Sequence, residues 1–223
     1  MSTAISDIAT LVAGDKLTRD EFLRRWEAMP DVKRAELIGG VVYMPSPVSV
    51  DHGYVSNDVG HWLGHYALLT PGCRAGQNAT WLMLGDAPQP DVHLCILPEH
   101  GGQSRVKGKF CAGAPELVAE VCLSTTAYDL HQKLELYVAA GVQEYVAVLL
   151  REREVWWHRR IGGTYELLPQ SDEGVIQSVV FPGLWLNVPA LLDENMASVL
   201  KTLSQGLQSS QHAEFVARLS RPS

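Results

Sequence analysis

The chain is short of several features that would fix its setting at a glance. No window approaches the ~18 consecutive uncharged apolar residues that a membrane-spanning helix needs. The opening segment "MSTAISDIATLVAGDKLTRDEF" has no cationic start followed by a long apolar run, so no signal peptide is read there. Four cysteines, Cys73, Cys95, Cys111 and Cys122, form no CxxC pair and no framework spacing. Two of them lie in apolar strand-like runs, which predicts reduced thiols and a cytoplasmic protein. Positive charge is scarce. The 18 Lys and Arg against 25 Asp and Glu leave a formal net charge of −7. The bulk field therefore repels nucleic acid, and any DNA contact needs a local basic patch. Internal repeats and low-complexity blocks are absent too.

What is present is enough for a packed core. Across 223 residues, 46% hydrophobic and 19% charged content is ordinary for a globular protein. Residues 1–205 read as one domain, and 206–223 as a polar, loosely attached tail. "TRDEFLRRWEAM" (18–29) has a capping Thr18, Glu21 three residues on, and apolar Phe22, Leu23, Trp26 and Met29, which predicts a short amphipathic helix. "AELIGGVVYMPSP" (35–47) reads as a hairpin about Gly39-Gly40 closed by prolines. A helix follows over 49–69, two strands over 73–84, a proline-bounded strand over 89–100 and a loop over 101–114. Then come a strand in "PELVAEVCL", a helix at 129–141 ended by Gly141, strand "EYVAVLL", a strand meander over 154–181 and a helix at 189–203. This order predicts an α/β fold with a mixed sheet flanked by helices.

Glu120 stands out because it interrupts the apolar run Leu117, Val118, Ala119, Val121, Cys122, Leu123. A buried polar group costs roughly 2–7 kcal/mol unless it is paired, and a charge costs more. Strand alternation sets Val118, Glu120 and Cys122 on one face. Asp91 opens the strand "PDVHL", just after Pro90. If those strands are antiparallel neighbours, the start of one meets the end of the other and the two carboxylates converge at one sheet edge. Converging carboxylates repel unless a cation lies between them. Hard oxygen donors suit Mg²⁺ or Mn²⁺, ions that keep several waters and bind phosphate oxygens. The pair thus predicts a divalent-metal site for phosphodiester chemistry. On the following helix, at about 100° per residue, Leu134, Tyr137, Val138 and Gly141 make the expected buried stripe. Lys133 lies about 60° from its centre, within reach of Glu120.

"AELIGGVVYMPSP", "QPDV", "PELVAEVCLSTT" and "YDLHQKLELYVAAGVQEYVAV" together resemble the Uma-type family of restriction endonucleases, within the PD-(D/E)xK nuclease superfamily. The similarity runs through most of residues 34–150. It implies a restriction-endonuclease-like core, a divalent metal held by Asp91 and Glu120 with a backbone carbonyl near Val121, and hydrolysis of DNA phosphodiesters. It also brings in Glu36 and His52 as further candidates near the metal. Two departures stand beside it. The superfamily's lysine, two residues after the acid, is Cys122 here, and Lys133 is the substitute. The family's "LSPST" is "CLSTT", which leaves cleavage competence open.

Each candidate keeps a plainer reading. Asp91 has the alternative of a strand-start hydrogen bonder. Lys133 serves as a solvated helix residue supported by Asp129 four positions earlier. Glu36 serves as a strand surface charge, and His52 as a helix-start residue. Ser124, Thr125 and Thr126 read as the turn before the helix. Arg105, Lys107 and Lys109, in the segment between the two acidic strands, are the candidate phosphate contacts. Of Trp156 and Trp157, alternation sends one into the core. The readings that remain are a metal-dependent endonuclease, a nuclease-fold DNA-binding or interaction module without cleavage, and a domain in which Glu120 and Lys133 are purely structural. Enzymes that cut both strands commonly pair subunits, so a homodimer is expected.

Overall fold

The computed structural model describes residues 8–44, 49–123 and 128–221. Pro45 and Pro47, and the turn expected at Ser124, Thr125 and Thr126, lie outside them. The first part of the chain gives α1 (Arg19–Glu27), β1 (Glu36–Ile38), β2 (Val41–Tyr43), α2 (Val50–Leu68), β3 (Cys73–Gln77), β4 (Trp81–Leu82), β5 (Val92–Ile96), β6 (Arg105–Lys107) and β7 (Phe110–Ala112). The rest gives β8 (Leu117–Cys122), α3 (Tyr128–Ala140), β9 (Glu144–Leu149), β10 (Glu154–Ile161), β11 (Thr164–Leu167), β12 (Val175–Gln177), β13 (Trp185–Asn187), α4 (Val188–Leu192), α5 (Met196–Leu207) and α6 (Ser210–Leu219).

Six strands form the central sheet in the order β11-β10-β9-β8-β5-β3. β8 and β9 run parallel, joined by α3 as the crossover, and the other neighbours are antiparallel. One sheet face carries Val92, Leu94, Leu117, Ala119, Val121, Val146 and Val148 and is covered by α2 and the C-terminal elements. The other carries Val118, Tyr145, Ala147 and Leu149 and is covered by α3. Burial on both sides explains why β8 and β9 read as near-continuous apolar runs rather than alternating ones. The expected mixed α/β architecture is the observed one.

The first hairpin forms where its glycines predict. Gly39 and Gly40 take φ of 60° and 72°, a region that favours glycine, and both amides donate to the Asp86 carboxylate, at 2.8 and 3.0 Å. Thr18 caps α1 by accepting from the Glu21 amide. Trp157 is the core member of its pair, edge-on to Trp62, while Trp156 is half-buried.

Four expectations are corrected. The 101–114 segment is not a plain loop but contains the β6–β7 hairpin, which joins β4 in a separate three-stranded sheet. The late meander does not stay together. β10 and β11 extend the main sheet, whereas β12 pairs with β13. The helix expected at 189–203 is two helices, broken where Glu194 turns to φ 55° and Asn195 starts a new cap on the Ser198 amide. The C-terminal stretch is no loose tail. Ser209 caps α6, and Phe215 and Leu219 are buried in the main core. The i, i+4 spacing of two apolar residues in a polar segment carried that helix.

Glu144 organises this C-terminal half. It is fully buried and accepts hydrogen bonds from Trp157 Nε1, the Ser178 hydroxyl and the amides of Val179 and Val180. Burial pushes its pKa up, and those four donors oppose the rise. Glu144→Ala orphans all four donors. At about 1–3 kcal/mol for each buried unsatisfied group, we expect a loss of at least ~3 kcal/mol. Glu144→Gln, which keeps an acceptor, should lose less. Urea unfolding checks this, and an unchanged midpoint for Glu144→Ala would refute it.

The docking of α6 should depend on pH in a defined direction. His212 is buried, with Nδ1 3.0 Å from the Leu207 carbonyl and Nε2 3.0 Å from the Thr70 hydroxyl. Burial lowers its pKa, partly offset by the Leu207 carbonyl. A histidine whose folded pKa is depressed contributes stability above its unfolded value, about 6.5, and that contribution is lost as pH falls below it. Amide exchange in α6 should therefore quicken relative to the central strands between pH 7.5 and 5.5 in the wild type, and less so in His212→Gln.

Candidate active site

β5 and β8 lie side by side and antiparallel, with Val92 facing Ala119. Continuing that register sets Asp91 beside Glu120. The link is reciprocal. Asp91 Oδ2 accepts from the Val121 amide at 2.9 Å, and the Asp91 amide lies 3.5 Å from Glu120 Oε2. The strand-end convergence expected from the sequence is therefore present.

Lys133 meets this pair from α3. Its ammonium is 3.1 Å from Glu120 Oε1 and 3.1 Å from Glu36 Oε1. Glu120 is 4% exposed and Lys133 only 9%, so the solvated reading of the lysine does not hold. The buried face of α3 is also rotated from the expected one. It carries Lys133, Leu136 and Tyr137, while Leu134 and Val138 are only half-buried. Two carboxylates beneath the helix draw Lys133 inward, and apolar periodicity alone has no term for that attraction. Tyr137, one turn on, donates its hydroxyl to Glu120 Oε1 at 2.7 Å. It was read only as part of the apolar stripe, although i, i+4 spacing from Lys133 already put both on one face. The side chain of Asp129 lies outside what the structure describes.

Glu36 and His52 both join the cluster. Glu36 Oε1 also accepts from the Gln89 amide at 2.6 Å, so it ties the first hairpin to the segment before Asp91. His52, near the start of α2, places Nε2 3.4 Å from Asp91 Oδ2, and its buried Nδ1 has no hydrogen-bond partner among the described residues. Arg105, Lys107 and Lys109 are not drawn in. The connection carrying them leaves the end of β5 and enters the start of β8, the sheet edge opposite the acid pair. Arg105 and Lys107 are exposed, and Lys109 pairs with Glu27 at 2.8 Å.

The electrostatics follow from burial and proximity. Burial pushes the Glu120 pKa up. Lys133 and the Tyr137 hydroxyl oppose that rise, and the Asp91 and Glu36 charges add to it. Burial acts against the Lys133 charge, yet Glu120, Glu36 and Asp91 together hold its pKa above the ordinary lysine value. Burial would raise Asp91 as well, but His52, the Val121 amide and Lys133 bring it below the usual value. His52 is raised, chiefly by its contact with Asp91.

The donor set suits a hard divalent ion. Among the described residues, Asp91 Oδ1 accepts no hydrogen bond, and Glu120 Oε2 has only the long contact to the Asp91 amide. Two carboxylates suffice for Mg²⁺, which binds through one or two and keeps water elsewhere. Among the described residues there is no cluster of three or more His, Cys, Asp and Glu side chains that would cage an ion unaided.

A mixed sheet with α3 crossing between parallel strands, and paired acids at the sheet edge, defines the restriction-endonuclease-like class. Comparison with known proteins agrees. A family model described as "Uma2: Putative restriction endonuclease" matches residues 19–189, so the chain belongs to that family. It is also similar in structure to a crystal structure described as "a putative nuclease belonging to DUF820" from Anabaena variabilis ATCC 29413. That similarity has a TM-score of 0.58 at 16% identity and covers 84% of this chain and 99% of the other. No curated protein matches. Among the described residues no helix is long and apolar enough to cross a membrane.

Removing the lysine should expose what it compensates. Lys133→Met leaves buried Glu120 facing half-buried Glu36, and breaking the buried Lys133–Glu120 pair in this way costs about 3–5 kcal/mol. Lys133→Met with Glu120→Gln should recover part of that loss, because one of the two charges is gone. Equal urea midpoints for the wild type and Lys133→Met would contradict the buried-triad geometry.

Proposed function

We propose that the chain is a metal-dependent endonuclease that hydrolyses DNA phosphodiester bonds. The observation that supports it best is the convergence of Asp91 and Glu120 on adjoining strands, with a buried ammonium held against one of them. Asp91 and Glu120, with the backbone carbonyl near Val121, are the residues that would hold one Mg²⁺ or Mn²⁺. Such an ion supplies Lewis-acid polarisation of the scissile phosphate and a lowered pKa for bound water. Lys133 takes the part of the superfamily's strand lysine, whose position is Cys122 here, by setting positive charge beside the acids. Tyr137 and Glu36 fix the Lys133–Glu120 geometry, and His52 fixes Asp91. Arg105, Lys107 and Lys109 emerge at the sheet edge away from the acids, so they are assigned no contact with the scissile phosphate. A DNA substrate, together with cysteines that form no disulfide among the described residues, fits a cytoplasmic setting.

One observation favours a second reading, a nuclease-fold module that binds DNA without cutting it. Lys133 already partners both Glu36 and Glu120, so the cluster is internally compensated without an ion.

Nicking of supercoiled plasmid separates the two. We expect wild-type nicking with Mg²⁺ or Mn²⁺ and none with EDTA. Asp91→Asn keeps an acceptor for the Val121 amide but loses the charge, and should slow nicking about 10²–10³-fold. Cys122→Lys, which restores the usual lysine on the strand face of Glu120, should leave nicking intact or raise it. Retarded migration of duplex DNA with no nicking under any divalent ion would favour the binding module.

A further inference from the structure

The first hairpin holds α3 by a further contact that lies outside the charged cluster. Strand alternation divides the hairpin between two cores. Leu37 and Val42 point into a small core with Phe22 and Ala87, while Ile38 and Tyr43 pack into the core on the α3 side of the sheet. Glu36 and Tyr43 stand directly opposite each other in the ladder, so both side chains leave the same face. They take hold of consecutive residues of α3. Glu36 Oε1 lies 3.1 Å from Lys133 Nζ, and the Tyr43 hydroxyl donates to Gln132 Oε1 at 2.5 Å. Consecutive helical residues project about 100° apart, so the two contacts bear on α3 from different directions and keep the hairpin from pivoting about either one.

We propose that Tyr43 is a positioning residue for the ion site: by gripping Gln132 it keeps Glu36 against Lys133, and an ammonium shared with Glu36 leaves Glu120 able to accept a divalent ion. This role rests on the reading of Asp91 and Glu120 as ion ligands. Lys133 Nζ stands 3.1 Å from each of the two carboxylates. Both contacts are longer than the roughly 2.7–2.9 Å of a charge-assisted bond made to one partner. The ammonium is therefore divided between Glu36 and Glu120 rather than committed to Glu120. Were Glu36 to draw away, the same ammonium would close on Glu120 and cancel more of the negative charge that attracts a cation.

The other partner of Glu36 does not prevent this. The Gln89 amide binds the same Oε1 at 2.6 Å, but it ties the hairpin to the segment before Asp91 and not to the helix. Tyr43 supplies the hold on the helix. Tyr43 and Gln132 are both half-buried, which shields their hydrogen bond from water. Both are also neutral, so the grip adds no charge beside the ion.

Calorimetric titration with Mn²⁺ tests the role. Tyr43→Phe deletes the hydroxyl and keeps the ring. It should weaken Mn²⁺ binding about two- to tenfold, the range that one neutral hydrogen bond accounts for. Gln132→Leu should do the same, and the two changes together no more, because either one releases the same grip. In a Glu36→Gln background, where the ammonium's charge is no longer shared, adding Tyr43→Phe should leave Mn²⁺ affinity where Glu36→Gln alone puts it. A tyrosine with a merely structural task would lower the urea midpoint and leave the Mn²⁺ affinity of the folded protein unmoved. Wild-type Mn²⁺ binding with an unchanged affinity in Tyr43→Phe would overturn the role alone, as would an equal loss from Tyr43→Phe with and without Glu36→Gln. No Mn²⁺ bound by the wild type would instead sink the ion-ligand reading, and this role with it.

Discussion

The contact on which the site depends is the ammonium of Lys133 held between the carboxylates of Glu36 and Glu120. Three charged groups are taken largely out of water there, at a desolvation cost of several kcal/mol per ion. The arrangement persists because each end is fastened to a different part of the fold. Glu120 comes from the middle of a strand buried on both faces, Lys133 from the crossover helix above it, and Glu36 from the first hairpin, which is anchored in turn by the Gln89 amide and by Asp86. A cluster fastened at three points holds its geometry without relying on a flexible loop, which is what pre-organised charge stabilisation requires.

The same contact keeps a cation at the acid pair although the strand residue two positions after Glu120 is a cysteine. Cys122 occupies the strand position, and the helix supplies the charge from above. Tyr137 shares Glu120 Oε1 with Lys133, leaving Oε2 turned toward Asp91. The two oxygens of one carboxylate thus have separate tasks, one structural and one directed at the second acid. Asp91 divides its oxygens similarly, with Oδ2 taken by the Val121 amide and His52.

Much of this was legible in the sequence because strand alternation and a proline-marked strand start are local signals. Those signals put Asp91 and Glu120 at one sheet edge only on the condition that their strands pair antiparallel, a long-range pairing that local sequence does not fix. The depth of Lys133 was not legible. A helical wheel ranks lysine as solvent-facing, and only two carboxylates from distant segments reverse that ranking. Tyr137 was hidden for a related reason, since an aromatic at a core position has an apolar explanation at hand. The packed α6 was missed although Phe215, Val216 and Leu219 recur at helical spacing, because the polar run around its capping Ser209 reads as a tail. The cations of the 105–109 segment were expected near the site because sequence places them between the two acids. In an antiparallel pair, however, the connection emerges at the far edge.

The account's central claim is that Asp91 and Glu120 form a divalent-ion site although Lys133 already partners one of them. Electron paramagnetic resonance of Mn²⁺ titrated with protein tests it without requiring turnover. The account predicts one bound ion per chain in the wild type, lost in Glu120→Gln and in Asp91→Asn while both variants keep wild-type circular dichroism. Free Mn²⁺ signal undiminished by the wild-type protein, or equal binding by the wild type and both variants, would contradict it.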